Sequence, residues 1–222
     1  MKEEHHRGEG DQSRRTGVPR WPAAVALLSV GVLYAVLSEG LTIGPRAFLL
    51  AFVAVLLVCL TTAYLRGSHR LARRISFGVI GFVTVAVVVS TVLLVSSALS
   101  AGTSAPALLR DAALLWIINV ATFSVWYWET DCGGPAQRRR EGHRSEDYLF
   151  PRMNLGGGVA RAWSPGFLDY LFLAFNTSTA FSPTDTAVLS GKAKVLMMMQ
   201  ALLSLVILAV LVSRAINALA AA

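Results

Sequence analysis

Apolar runs about as long as a lipid bilayer is thick recur along this chain, at Trp21–Ser38, Ala47–Leu65, Ile75–Leu99, Ala112–Trp128 and Val195–Val212. Crossing the hydrocarbon takes roughly 20 residues of helix. Only a backbone that satisfies its own hydrogen bonds survives there, so these runs read as membrane helices rather than as core strands. One further run, Phe167–Phe181, is shorter and turns polar at its end. With 55% apolar and 15% charged residues among 222, the composition lies outside the usual soluble balance. The expected fold class is an all-α integral membrane protein of about six transmembrane helices, the fifth short and broken at its polar end.

Four regions follow. Residues 1–20 mix charges with Gly, Ser and His and offer almost nothing to bury, so a disordered cytoplasmic tail is expected. Residues 21–128 form a four-helix transmembrane region, and residues 129–166 a cytoplasmic loop. Residues 167–222 carry a short helix, a polar break and the final transmembrane helix. The first apolar run lacks a small-x-small exit at Leu37-Ser38-Glu39-Gly40 and is read as a retained span rather than a signal peptide.

The net charge of +7 is a topology signal, because the basic residues flank the apolar runs and no nucleic-acid-binding motif accompanies them. With the N-terminus inside and six crossings, sixteen of the 20 Lys and Arg lie in the cytoplasm. Arg46, Arg110, Lys192 and Lys194 lie outside. Both termini are then cytoplasmic, in a protein of the cell's inner (plasma) membrane. A half-helix entering from the cytoplasm leaves seventeen inside and three outside, so charge does not separate the two arrangements; six crossings are preferred.

Support for catalysis or a cofactor is thin. His5, His6, His69 and His143 all fall between spans, and Cys59 and Cys132 form no ligand pattern. Gly156-Gly157-Gly158 lacks the lysine and helix of a phosphate loop. Within the loop, Gln137–Asp147 reads as a solvated charge run. Trp126, Tyr127 and Trp128 read as an interfacial aromatic belt. Polar groups inside spans are costly and rare: Arg110 and Asp111 sit at a helix mouth, whereas Asn119 and Gln200 lie deeper and suit interhelical hydrogen bonds. The segment Asp169–Asp185 is unusual, for an apolar half-helix gives way to Asn176-Thr177-Ser178-Thr179-Ala180-Phe181-Ser182-Pro183-Thr184-Asp185. Pro183 forbids a continuous helix, and such a break must be buried in protein or line water.

Apolar half-helix, Thr177-Ser178-Thr179, Phe181, Asp185 and then Leu189-Ser190-Gly191-Lys192 leading into a long helix resemble, over Phe167–Asn217, the pore module of potassium channels. The resemblance implies a pore helix, a filter at Thr177–Ser182 whose carbonyls replace an ion's hydration shell, and an inner helix. Ala180, Phe181 and Ser182 stand where that family carries glycines. The Trp-Tyr-Trp-Glu and Ala-Phe-Ser-Pro-Thr-Asp motifs are also similar to uncharacterised bacterial inner-membrane proteins. Three functions stay open: a homo-oligomeric pore, tetrameric if channel-like, for a monovalent cation; a small-solute carrier built on the broken helix; and a non-conducting protein that binds a partner through its basic loop.

Overall fold

The computed structural model describes residues 21–42, 44–45, 47–65, 69–100, 104–135, 137–138, 147–155, 163–179 and 185–220. The expected tail 1–20, the loop centre and Ala180–Thr184 lie outside them. The described residues include six α-helices of 13 residues or more: α1 (Trp21–Val36), α2 (Phe48–Leu65), α3 (His69–Leu99), α4 (Ala105–Thr130), α5 (Phe167–Thr179) and α6 (Gly191–Ala220). Two short strands, β1 (Tyr148–Leu149) and β2 (Ala187–Val188), pair antiparallel with Tyr148 opposite Val188. Three stretches are long and apolar enough to cross a membrane: Leu71–Leu99, Ala105–Gly133 and Gly191–Asn217. Trp21–Val36 and Phe48–Thr62 are shorter apolar helices.

The helices follow their sequence. Pro106 stands in the first turn of α4, where its missing N–H costs nothing. Asp169 opens α5, its carboxylate accepting from the Gly166 N–H at 2.7 Å and meeting the positive end of the helix dipole. Buried Ala23, Leu27, Val30 and Tyr34 recur every three or four residues and give α1 one inward stripe. In the middle sits α4, which packs against α1, α3, α5 and α6.

Hydroxyls of α3 bond back to its own backbone, Thr84 to Ile80 and Thr91 to Val87, both at 2.8 Å. Ser90 instead donates to Leu41 O at 2.6 Å, in the turn joining α1 to α2. Arg110 reaches Ser38 of that turn at 3.1 Å and pairs with the buried Asp111 at 3.0 Å. These contacts place the α1–α2 turn, the end of α3 and the start of α4 at one end of the bundle. The opposite end, here called the mouth, gathers the α4 C-terminus with the starts of α5 and α6.

Two features of the bundle bear on the expected crossings. The sequence reading has the fifth segment cross from one side to the other, but α5 begins beside Trp128, and by β2 the chain is back at that same end. There Leu189 N donates to Asp147 O at 2.9 Å and Lys192 Nζ meets the Asp147 carboxylate at 2.9 Å. The two-residue pairing of β1 with β2 is the anchor that hydropathy does not register. As a consequence α6 runs antiparallel to α4 and ends opposite the mouth, whereas α1 starts at the mouth. The two ends of the described chain therefore lie at opposite ends of the bundle.

At the mouth α4 stops because Cys132, Gly133 and Gly134 all adopt positive φ, a conformation only glycine enters freely. A Cβ on Gly134 would also lie 3.0 Å from Glu129 O. Gly134→Ala should therefore destabilise by about 1–2 kcal/mol. In thermal unfolding of the purified protein that is a fall in Tm of roughly 3–6 °C.

Candidate functional site

Two polar clusters occupy the contact between α4, α5 and α6, one half-way along the bundle and one at the mouth. Gln200 is the centre of the first. Its Nε2 donates to Ala174 O and to Ser178 Oγ, each at 2.7 Å, its Oε1 accepts from the Tyr127 hydroxyl, and its backbone carbonyl accepts from Asn119 Nδ2 at 3.4 Å. Asn119 Nδ2 also donates to Ser204 Oγ at 2.8 Å. Gln200, Asn119 and Tyr127 have no exposed surface at all, so the amide must share a hydrogen-bonding network to be tolerated there. One atom is left over: the Asn119 amide oxygen is buried without a partner among the described residues.

Helix geometry fixes the depth of this cluster. At a rise of about 1.5 Å per residue, Asn119 lies roughly 17 Å inward from Thr130, Ser178 roughly 17 Å from Phe167 and Gln200 roughly 14 Å from Gly191. Three helices thus deliver their polar residues to one level. Thirteen residues make α5 about 20 Å long, too short for a crossing of about 30 Å. The eight Cα–Cα steps from Thr179 to Ala187 can span up to about 26 Å, ample for the return.

Of the residues singled out in the sequence, Asn119, Gln200 and Ser178 meet in this cluster. Thr177 and Thr179 bond back to Leu173 O and Asn176 O, and Asn176 is half-buried on the same last turn. Asp185 is exposed on the returning segment. Ala180, Phe181 and Ser182 lie outside the described residues.

The mouth cluster was missed by sequence reasoning. Arg138, only 3% exposed, donates from Nη1 to Asp131 O at 2.6 Å and from Nη2 to Trp128 O at 2.9 Å, capping the last carbonyls of α4. Its guanidinium lies 4.7 Å from the Trp128 ring centre and 5.3 Å from that of Tyr170. Asp131 accepts from the Tyr170 hydroxyl at 2.5 Å, so the end of α4 is tied to α5. The Asp147 carboxylate accepts from Cys132 N at 3.2 Å and pairs with Lys192 of α6. Burial, and then the neighbouring Tyr127, Asp131 and Asp147, push the Tyr148 phenol well above its usual range, so it stays protonated.

Two local readings are therefore corrected. Arg138 and Asp147, assigned to a solvated charge run, are buried. Tyr127 and Trp128, assigned to an interfacial belt, are fully enclosed: Tyr127 packs on Tyr148, and Trp128 on Phe167 and Tyr170. The signal that could have found this is Gly133-Gly134-Pro135 directly after Cys132, a turn that folds the loop back onto the helix end.

No protein-family model, curated protein or solved structure matches the chain. The arrangement must be interpreted from its own chemistry. A half-helix of the described chain ends inside the bundle with its carbonyl end pointing inward, and polar side chains from three helices meet it there. Among the described residues no cluster of His, Cys, Asp or Glu has the makings of a metal site.

Proposed function

We propose that this is a multi-pass protein of the plasma membrane in which α5 is a re-entrant half-helix and, with α6, lines a path for a monovalent cation. The observation that carries the reading is the turn-back of α5: a helix that stops half-way along the bundle and a chain that returns to the mouth. The last carbonyls of a helix carry a partial negative charge. At the middle of a bilayer they need protein donors or a cation. Thr177, Ser178, Thr179 and the following polar break supply further oxygens, in the manner of the potassium-channel pore module that this region resembles.

In this reading α1, α2, α3, α4 and α6 cross the bilayer and the mouth faces the cytoplasm, where seventeen of the 20 Lys and Arg then lie. Of the three stretches long and apolar enough to cross a membrane, the one in α6 is the least buried. Its outward Val195, Met198, Leu202 and Leu205 are exposed and need lipid or neighbouring copies; a homo-oligomer, four copies by the channel resemblance, places α5 and α6 around a common axis. A second reading, a small-solute carrier, draws on the Tyr127–Gln200–Asn119 cluster lying inside a single protomer.

Labelling of single cysteines tests the topology. With a membrane-impermeant reagent on intact cells, Gly40→Cys and Asn217→Cys should be modified and Gly191→Cys protected; modification at 191 rules out the re-entrant arrangement. Cys132 is buried and is a poor reporter. Flux tests the path: Thr179→Val and Asp185→Asn should each lower potassium or sodium flux in liposomes by about tenfold, the loss of roughly 1.4 kcal/mol of ion stabilisation, with unchanged yield of folded protein. A monomer in detergent with no cation flux above empty liposomes excludes the pore and leaves the carrier.

A further inference from the structure

A cavity of about 300 Å³ lies between the mouth-end halves of α1, α2, α3 and α4, away from the α4–α5–α6 cluster. Protein interiors leave few voids larger than a water molecule, and this one has room for roughly ten at about 30 Å³ each. Leu27, Leu57 and Val125 are among its walls, and the exposed Trp21 stands at the rim. Apart from Thr61, Ser76 and Glu129, the described walls are apolar. Such walls give water too few partners to hold it in order. The volume reaches the lower bound of small-molecule sites, roughly 300 Å³, and the make-up is theirs too, apolar walls with a few polar groups that set orientation.

The three polar residues decide the ligand's chemistry. Thr61 commits its hydroxyl to its own helix, donating to Leu57 O at 3.0 Å and Val58 O at 2.8 Å. Glu129 is engaged as well, and its Oε2 would lie 3.8 Å from a Cβ on Gly134, which puts the carboxylate beside the turn that ends α4. Neither residue offers a free charge to a ligand, and a charge buried unpaired against hydrocarbon is costly. The ligand is therefore uncharged.

Ser76 is different. It is 2% exposed and lies on the cavity wall, and its hydroxyl makes no hydrogen bond among the described residues. Thr84 and Thr91 of the same helix bond back to the carbonyl four residues earlier, the usual resort of a helical hydroxyl. Hydrocarbon alone, pressed onto Ser76, would strip it of water and replace nothing. A molecule with an apolar body and one oxygen supplies the missing bond, since a serine hydroxyl can donate to that oxygen or accept from it.

We infer that this cavity binds an uncharged lipophilic molecule carrying one hydrogen-bonding oxygen, with Leu27, Leu57 and Val125 holding the apolar body and Ser76 the oxygen. The site is independent of the proposed cation path.

The full-length protein in phosphatidylcholine nanodiscs, dialysed to equilibrium at pH 7 against radiolabelled 4-phenylbutanol with empty discs as background, tests the assignment. Saturable binding of one alcohol per chain is expected. As unlabelled competitors, n-butylbenzene, which lacks the oxygen, should be about fivefold weaker than the alcohol, the worth of one neutral hydrogen bond, and the cationic 4-phenylbutylamine at least tenfold weaker. Ser76→Ala should weaken the alcohol about fivefold and leave butylbenzene unchanged, and Leu57→Phe should fill the cavity and weaken both. The serine variant decides alone if the phenylalanine one does not fold. Absence of saturable alcohol binding to the wild-type protein overturns the inference. So does an amine that competes as well as the alcohol, or alcohol binding that Ser76→Ala leaves unchanged.

Discussion

Replacing Gln200 by leucine is expected to lower the stability of the protein by about 2–4 kcal/mol, since each buried partner left unsatisfied costs about 1–3 kcal/mol. Leucine fills a similar volume, so the cavity contribution is small and the effect isolates the hydrogen bonds. The Tyr127 hydroxyl loses its acceptor, Ser178 Oγ loses its donor, and neither has exposed surface through which water could replace them. Thermal unfolding followed by tryptophan fluorescence should show a fall in Tm of about 6–12 °C for a chain of this size. Tyr127→Phe removes the other half of one bond. In the double variant Gln200→Leu/Tyr127→Phe the hydroxyl is gone together with its acceptor, so the combined loss should be smaller than the sum by about 1–2 kcal/mol. Strict additivity would mean that Tyr127 and Gln200 are not energetically linked.

The same residue marks how far hydropathy reaches. A lone glutamine in Val195–Val212 is conspicuous because hydrocarbon makes it expensive, and the expectation that it joins helices needs only that cost. Its partners are another matter: Tyr127 and Ser178 are 73 and 22 residues away, and no local pattern selects them from other polar groups. Apolar length marked every long helix, with boundaries that fell short where the helix runs on into polar sequence. The run Ile75–Leu99 belongs to a helix that starts at His69, and Val195–Val212 to one that spans Gly191–Ala220. Hydropathy reports solvation, whereas the helix ends where its backbone hydrogen bonds end.

The direction of α5 was beyond that reach for a different reason. Two full crossings and a half-helix with a return differ in hydropathy hardly at all, and the charge count differs by one residue. What supports the half-helix is a strand pairing of two residues each and the ion pair of Lys192 with the buried Asp147. Asp131, Asp147 and Lys192 are scattered over some sixty positions of sequence, and each alone looks like an ordinary loop charge. Only their convergence at the α4 C-terminus turns them into a clamp.

Arg138 is the keystone of that clamp, and Arg138→Ala should be the most damaging substitution at the mouth. The guanidinium satisfies two carbonyls at the end of α4 and lies between the rings of Trp128 and Tyr170. Its removal orphans those carbonyls and takes a cation away from the buried Asp131. Breaking a buried charge network by deleting one partner typically costs about 3–5 kcal/mol, so a Tm lower by about 10 °C or a sharp drop in folded yield is expected. Arg138→Lys keeps the charge but not the planar fork, which alone reaches both carbonyls while stacking on both rings, and should recover less than half of the loss. Tyr170→Phe removes only the bond to Asp131 and should cost about 1–3 kcal/mol, loosening α5 rather than the end of α4. A lysine variant as stable as the wild type would show that charge alone suffices at this position and that the fork geometry is incidental.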